Sequence, residues 1–435
     1  MGSALLRRQL ELLKDAPSFR LLFFATLGSG LGTMLAVIAL MVDVFDRTRS
    51  GTWVAALLIA DFLPMLVIGL LLGPLVDRFS RRRLMIVSDL VRCAAFVALP
   101  FAPNAATIVV LAGVVGFASG FFRPAVYAGL PNLVRERDLP QANSLFQAVE
   151  NLTWLVGPLL GGVLLSAAGP TVPYAVNAVT FLVSAALLAR IPARDLAAAD
   201  AASSGGHWRD LAEGFGVVRR SRPLVAVLVA WTIVMFANAG VNVAEVALVK
   251  VVFDARDVHL GAMMATAGAG LVLGSVLAGA WAERIRVAWL YGGALLLMAA
   301  GTGAAAAAPS VWVAMALVVV SGFGNGVAGV LNPLLVQRGA PDRVRGRAFT
   351  VIMSVNFAAL GLGMILAGRL TDSLGARWVW AAAAVTYAVA AAVAVALARG
   401  VDVRDAAAAE TEEPPDELAI VATAAPQARS GPDPL

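Results

Sequence analysis

Twelve apolar runs, each near the length of a membrane-spanning helix, dominate this chain. They fall at 21–44, 52–73, 84–102, 106–130, 142–168, 172–190, 224–249, 259–281, 287–307, 311–336, 348–370 and 376–398. A helix rising about 1.5 Å per residue crosses a hydrocarbon layer of about 30 Å with ~20 residues. The runs are continuously apolar and do not alternate, so they read as helices, which satisfy every backbone amide internally, and not as barrel strands. Composition agrees, with 60% of the 435 residues hydrophobic and 14% charged, against roughly 25% charged in a soluble domain. That much apolar surface cannot be hidden inside one globule. The expected fold class is an all-α polytopic membrane protein.

The basic residues set the expected orientation. With both termini in the cytoplasm, 25 of the 33 Lys and Arg residues fall in cytoplasmic segments; Arg47, Arg49, Lys250, Arg256 and Arg377 fall on the other side, and Arg92, Arg123 and Arg369 within spans. This asymmetry follows the positive-inside rule. It also accounts for the net charge of +5 without a nucleic-acid partner, because the basic clusters sit between apolar runs and not along one face. Residues 1–20 read as a polar cytoplasmic segment, and the run behind them is too long for a signal-peptide core, so it is expected to remain as the first span. Residues 21–190 and 223–398 each hold six spans. Between them, 191–222 reads as a cytoplasmic linker, an Ala/Ser/Gly-rich stretch followed by the amphipathic HWRDLAEGFGVVRRSRP. Residues 399–435, rich in Ala, Glu and Pro, have too little apolar surface to fold and are expected to form a disordered cytoplasmic tail. The single cysteine, Cys93, excludes an intramolecular disulfide and reads as packing filler.

The two halves repeat. Gly73, Asp77 and Arg78 match Gly279, Glu283 and Arg284; Gly116, Phe117 and Gly120 match Gly322, Phe323 and Gly326; Gly157, Gly162, Leu164 and Gly169 match Gly363, Gly368, Leu370 and Gly375, always at an offset of 206. One constant offset across separate loops and spans marks an internal duplication. Two six-helix bundles in the same orientation are therefore expected, with pseudo-symmetry between them and a central path of the kind secondary transporters use.

The loop after the second span reads GPLVDRFSRRR, Gly73 to Arg83. With twelve spans, a long central loop and the repeat, it resembles the signature of the major facilitator superfamily over residues 15–400, which implies that fold. In that family the loop acts as a latch, its acidic residue sitting near a helix N-terminus of the other half and its arginines pairing with acidic groups. The resemblance carries this role onto Gly73, Asp77, Arg78 and Arg82, with Glu283 and Arg284 as the repeat's counterpart. A carboxylate at a helix N-terminus gains roughly 0.3–1 kcal/mol, and arginine binds carboxylates through two bonds. Ser80 stands where the family commonly has a second glycine. The plain alternative is a positive-inside anchor.

Span five contains GPLLGG, Gly157 to Gly162 with Pro158 and Gly161, which looks like the motif of the superfamily's antiporters. Proline removes a helix hydrogen bond and glycines permit close helix approach, so the segment can bend and pack tightly, whether for gating or for packing alone. The stretches GFFRPAVYAGLPNLV and QANSLFQAVENLTWLVGPLLGG are similar to the exporters that include macrolide-efflux and enterobactin-export proteins. Arg123 is followed by Pro124, not by the glycine series usual after the drug exporters' span-four arginine.

Energy source is narrowed separately. A Walker A loop ends in Gly-Lys, yet the two lysines, Lys14 and Lys250, follow Leu13 and Val249. His207, His259 and Cys93 lie too far apart in sequence to suggest a metal site or a triad. The chain is therefore expected to be no enzyme, to need no cofactor or metal, and to run on an ion gradient.

Ionisable groups at membrane depth are costly and so are functional candidates. Glu150 lies eight residues into span five, roughly 12 Å deep. Gln147, Glu150, Asn151 and Trp154 follow i, i+3, i+4, i+7 spacing and form one polar stripe expected to face a cavity. Arg123, on the neighbouring span, can lie at similar depth, and a carboxylate that alternates between arginine and a proton would couple proton entry to substrate release; a permanent ion pair is the alternative. Asp61 is a second proton candidate. Asp89 and Arg92, at i and i+3, read as part of a gate network. Asn238, Asn242, Glu245, Asn325 and Asn332 are candidate cavity groups in spans seven and ten, or helix–helix hydrogen bonds.

These readings combine into a monomeric, proton-coupled exporter of amphipathic small molecules such as drugs or siderophores, in a bacterial inner membrane. Its partners would be the substrate, protons and the lipid bilayer. Arginine outnumbers lysine 31 to 2, a bias of GC-rich bacterial genomes. A proton-coupled importer of the same fold, or a membrane scaffold or sensor that does not transport, remains an alternative reading.

Overall fold

The computed structural model describes residues 9, 11–71, 79–196, 207–282, 284–340 and 342–398. The helices are α1 (Pro17–Thr48), α2 (Gly51–Leu71), α3 (Arg81–Ala98), α4 (Ala105–Leu133), α5 (Leu139–Ala168), α6 (Thr171–Ala189), α7 (His207–Arg220), α8 (Arg222–Ala247), α9 (Asp257–Ala282), α10 (Val287–Ala306), α11 (Val311–Gly339), α12 (Asp342–Leu374) and α13 (Ala376–Ala398). Each of the twelve apolar runs coincides with one of α1–α6 or α8–α13. Eleven helices among the described residues are long and apolar enough to cross a membrane, and Gly51–Met65 of α2 forms a shorter apolar stretch. Gly73, Asp77, Arg78, Glu283 and the tail 399–435 lie outside the described residues.

Two bundles are wired alike. In the first, α1 packs on α5 and α6, α2 on α4, and α3 on α4 and α6; in the second, α8 packs on α12 and α13, α9 on α11, and α10 on α11 and α13. The sequence repeat reappears as repeated contacts. A Cβ on Gly116 would strike the Asp61 carbonyl, and one on Gly322 the Ala267 carbonyl, again 206 residues on. Asn104 accepts from the Thr107 amide at the start of α4, as Ser310 accepts from the Val313 amide at the start of α11. Such caps satisfy amides that a helix leaves orphaned. Gly169 and Gly375 end α5 and α12 with φ of 72° and 88°, where a side chain would be strained.

Helix direction alternates and defines two faces. The start of α1 and the ends of α4 and α6 share an apolar cluster with Phe19, Leu133 and Leu188, and Ser221 Oγ, at the start of α8, donates to the Gly339 carbonyl at the end of α11 (2.9 Å). We call this the terminal face and its opposite the distal face. The linker's amphipathic segment forms α7, which lies against α12 at the terminal face. Val218 is buried there, Glu213 pairs with Arg347, and a Cβ on Gly214 would come within 2.6 Å of the Arg347 carbonyl.

The bundles meet along α5 with α9 and α2 with α12. At the distal face, Ser50, Gly51 and Thr52 of the first bundle donate to Asp372 of the second, Lys250 pairs with Asp46, and the Val258 amide donates to Ser166. The molecule is shut there.

Candidate functional site

Glu150 projects from α5 toward α4. Its Oε1 accepts from Arg123 Nη2 at 2.7 Å and from Tyr127 Oη at 2.9 Å. Arg123 and Tyr127 lie one helical turn apart on α4, which puts both side chains over the same carboxylate. The pair is open to solvent, with side-chain exposures of 55% for Arg123 and 34% for Glu150, although it lies at mid-helix depth. Gln147, Asn151 and Trp154 are exposed along the same stripe of α5, and Gln147 Nε2 donates to Asn151 Oδ1 (3.4 Å). An exposed ion pair at that depth requires a wet cavity, because hydrocarbon would not solvate it. The sequence reading lacked Tyr127, whose signal was its i+4 spacing from Arg123.

The other charged candidates of the first bundle stand apart from this group. Asp89 and Arg92 form a buried ion pair at 2.5 Å, with the guanidinium 4.2 Å and 4.4 Å from the ring centres of Phe122 and Phe181. Arginine stacks favourably on aromatic faces, so this pair ties α3 to α4 and α6. Asp61 is half-buried in the middle of α2. Arg82, expected to pair with acidic groups, instead donates to the carbonyls of Leu188 (3.3 Å) and Ala189. These are orphan acceptors at the negative end of α6. Arg284 is exposed.

In the second bundle three candidates are drawn into packing. Asn238 Oδ1 accepts from Tyr387 Oη (2.6 Å) and Asn332 Oδ1 from Tyr291 Oη (2.7 Å). Buried tyrosine hydroxyls need such partners, so these asparagines join helices within the bundle. Glu245 is 6% exposed and lies near the distal end of α8. Asn242 is exposed and Asn325 half-buried.

The antiporter-like motif forms the seam of the distal closure. Gly157 and Gly161 of α5 lie on Met34 and Leu35 of α1, while Gly162 faces α9, where a Cβ would stand 3.2 Å from the Gly261 Cα and the Val258 Cα. A Cβ on Gly261 would in turn strike the Pro158 carbonyl. The duplicate seam places Gly368 of α12, 206 residues after Gly162, against Thr52 and Ala55 of α2, 206 residues before Val258 and Gly261. Each seam is capped across the bundles. Ser166 Oγ accepts from the Val258 amide (2.8 Å) at the start of α9, and its counterpart Asp372 accepts from the Gly51 amide (2.5 Å), the Thr52 amide (3.2 Å), Ser50 Oγ (2.8 Å) and Thr52 Oγ1 (2.6 Å). After α8 a π-turn, Leu248–Val252, turns Lys250 toward Asp46 of α1 (2.6 Å) and Asp257 of α9 (2.8 Å). Sequence reading missed Asp46, Asp257, Ser166 and Asp372; the repeat offset linking Ser166 to Asp372 was the available signal. Among the described residues no cluster of His, Cys, Asp or Glu could hold a metal.

The profile of the transmembrane secretion effector family matches residues 13–431. The chain belongs to that family. It is a multi-pass membrane transporter of the major facilitator superfamily and not an enzyme. Among curated proteins it is 28% identical over 384 residues to the multidrug efflux pump Tap of Mycobacterium tuberculosis, covering 85% of this chain and 90% of that protein. It is 23% identical over 359 residues to macrolide efflux protein A of Streptococcus pyogenes, covering 80% and 88%. Among solved structures, an inward-facing bacterial homologue of the human lysosomal transporter Spinster superposes with a TM-score of 0.71 at 16% identity, covering 89% of this chain and 98% of that one. A bacterial homologue of the iron transporter ferroportin gives 0.71 at 15% identity, covering 88% and 98%. These two likenesses establish the fold.

Proposed function

We propose that the protein is a proton-coupled exporter of amphipathic small molecules, working as a monomer by rocking its bundles, 21–190 and 223–398, about the Glu150 site. The observation that carries this reading is Glu150 itself, a carboxylate in a wet cavity whose Oε1 is shared by Arg123 and Tyr127. A proton taken up by that carboxylate releases the arginine and the tyrosine together, and its departure re-forms the pair. The aromatic Trp154 and Tyr127 beside a charged pair favour molecules with an apolar body and a polar group. The names of two relatives, a multidrug and a macrolide efflux pump, support the outward direction. The excess of basic residues at the terminal face supports a cytoplasmic position for that face and for both chain ends, in a bacterial inner membrane.

Transport should follow an imposed pH gradient in proteoliposomes, with ethidium and a labelled macrolide as probes and the electrical potential clamped. Each pH unit is worth about 1.4 kcal/mol per proton, a tenfold concentration ratio at one-for-one exchange. Probe accumulating on the side richer in protons supports exchange; accumulation on the opposite side would establish a symporter, and binding without flux a sensor.

Alternating access requires the distal closure to open, and Asp372 should hold it. Asp372→Ala is expected to cost the closed form about 0.5–2 kcal/mol, the usual range for a lost helix cap, and so raise the open population roughly two- to thirtyfold. Spin labels replacing Phe101, just after α3, and Trp312, in the first turn of α11, both exposed at the distal face, with Cys93 replaced by serine, measure that population as a distance distribution. An unchanged distribution would remove Asp372 from the gate.

A further inference from the structure

A charge stands on the outer side of α12 where the fold calls for none. Leu362, Ile365, Leu366, Arg369 and Ser373 are exposed at i, i+3, i+4, i+7 and i+11, one stripe of the helix. The stripe runs to the distal end of α12, where the bundles are shut and Gly368 is packed on Thr52 and Ala55 of α2. A face left exposed at that level meets lipid and not the cavity. The duplicate seam shows what such a face ordinarily carries. Leu159, Leu160 and Val163 of α5 stand 206 residues before Ile365, Leu366 and Arg369 and are exposed in the same way. Where α5 has valine, α12 has arginine. Arg369 lies five residues short of Leu374, the last residue of α12, and so about 7–8 Å below the helix end. Trp53, Trp312 and Trp378, in the first turns of α2, α11 and α13, are exposed at the distal ends of their helices, as aromatic side chains are at a membrane boundary. An arginine just below that belt extends its head group to it.

The α2–α12 seam brings up a second cation. Arg49 is exposed and ends α1 with a φ of 52°, a backbone position that favours glycine or asparagine. Its neighbour Ser50 donates to Asp372, which follows Arg369 by three residues, one turn along α12. Neither the Arg49 nor the Arg369 guanidinium has a hydrogen bond or ion pair among the described residues. The Asp372 carboxylate does not answer them, because its oxygens accept from Ser50, Gly51 and Thr52. Other distal cations are engaged: Arg47 with Asp43, Lys250 with Asp46 and Asp257, and Arg377 with the Ala306 and Ala308 carbonyls. A charge at the hydrocarbon edge requires an anion, and one bordered by leucine and isoleucine requires an anion that brings its own apolar chains. We propose that Arg49 and Arg369 bind the phosphate of an anionic phospholipid of the distal leaflet, whose acyl chains lie along the Leu362–Leu366 stripe. One arginine belongs to each bundle, so the lipid clamps the distal closure. A zwitterionic lipid is the poorer ligand, since its ammonium would stand beside two guanidiniums. Distal opening parts α2 from α12 and separates the two arginines, so the lipid favours the closed form by as much as it binds that form better. The clamp rests on the alternating-access reading above; the lipid site does not.

The test uses the full chain in nanodiscs of equal phosphatidylglycerol and phosphatidylethanolamine, with photoreactive benzoylphenylalanine replacing Leu366 and the captured lipid identified by mass spectrometry. Phosphatidylglycerol should be captured in excess, by about fivefold for each arginine, the worth of one basic residue at an anionic surface. The same photoreactive residue at Leu160, the duplicate position beside Val163, should capture the two lipids more nearly equally. Arg369→Val, which installs the residue of the duplicate seam, and Arg49→Gln should each remove about fivefold of the excess, and Arg369→Lys should retain it. Glu150→Gln should leave the excess unchanged even where it abolishes transport, so this proposal and the proton-coupling reading fail separately. Equal capture ratios at 366 and 160, which need neither arginine variant to fold, would overturn the site. So would an excess that survives Arg369→Val, or one abolished by inorganic phosphate, which would mark a soluble anion as the ligand. The clamp is read from the labels at 101 and 312: adding phosphatidylglycerol to phosphatidylethanolamine nanodiscs should raise the closed population of the wild type and not that of Arg369→Val. A distance distribution indifferent to the lipid would overturn the clamp.

Discussion

Glu150→Gln is expected to abolish pH-gradient-driven efflux while leaving expression, folding and probe binding near normal. Glutamine keeps the shape of the side chain and can still accept from Arg123 and Tyr127, but it neither carries the charge that holds the guanidinium nor can take up and release a proton as a carboxylate does. Because the side chains of Arg123 and Glu150 are 55% and 34% exposed, losing the charge costs little stability; exposed pairs contribute about 0–1 kcal/mol. The effect on coupling is total by comparison. The roughly tenfold gradient of probe that one pH unit sustains should collapse to equality, whereas exchange of probe down its own gradient should continue. Arg123→Lys should be intermediate, since an ammonium supplies charge without the planar guanidinium. A Glu150→Gln protein that still builds a probe gradient from a pH gradient would remove this carboxylate from the mechanism.

The sequence made the fold legible because lipid imposes a coarse code, apolar length and basic flanks, that survives without knowledge of any contact. The repeat went further. Gly116 with Gly322, and Gly162 with Gly368, marked the duplication, and the structure gives each pair matching close helix contacts. Charged groups were harder to read, since spacing along one helix says which residues share a face and not what the face meets. Glu150 and Arg123 are on different helices, and only the structure shows Tyr127 joining them. Asn238 and Asn332 looked like cavity groups because polar side chains in a span need a reason; the reason is a buried tyrosine on another helix in each case. Asp372 passed unnoticed near a helix end, where acidic residues are common. Its meaning depends on the N-terminus of α2 lying opposite, which sequence distance hides.

Gly261→Leu is expected to trap the protein open at the distal face. The Gly261 Cα stands against α5, where an added Cβ would strike the Pro158 carbonyl and come within 3.0 Å of the Pro158 carbonyl carbon and 3.1 Å of the Gly162 Cα. All three atoms are backbone, so no rotamer change relieves the clash and the helices themselves must separate. Overpacking of this kind costs about 1–3 kcal/mol. Here α5 and α9 belong to different bundles, so separation relieves the cost and the whole penalty falls on the closed state. A closed-to-open ratio reduced roughly five- to 150-fold follows from about 1.4 kcal/mol per factor of ten. Gly261→Ala should move the 101–312 distance in the same direction by less. Gly293→Leu, at a position with open space where a Cβ would stand, is the control for adding bulk to a helix and should change nothing. If Gly261→Leu leaves the distance distribution closed while the protein remains folded, α5 and α9 do not part during the cycle. The GPLLGG segment would then be a fixed hinge, and opening would have to occur along α2 and α12 alone.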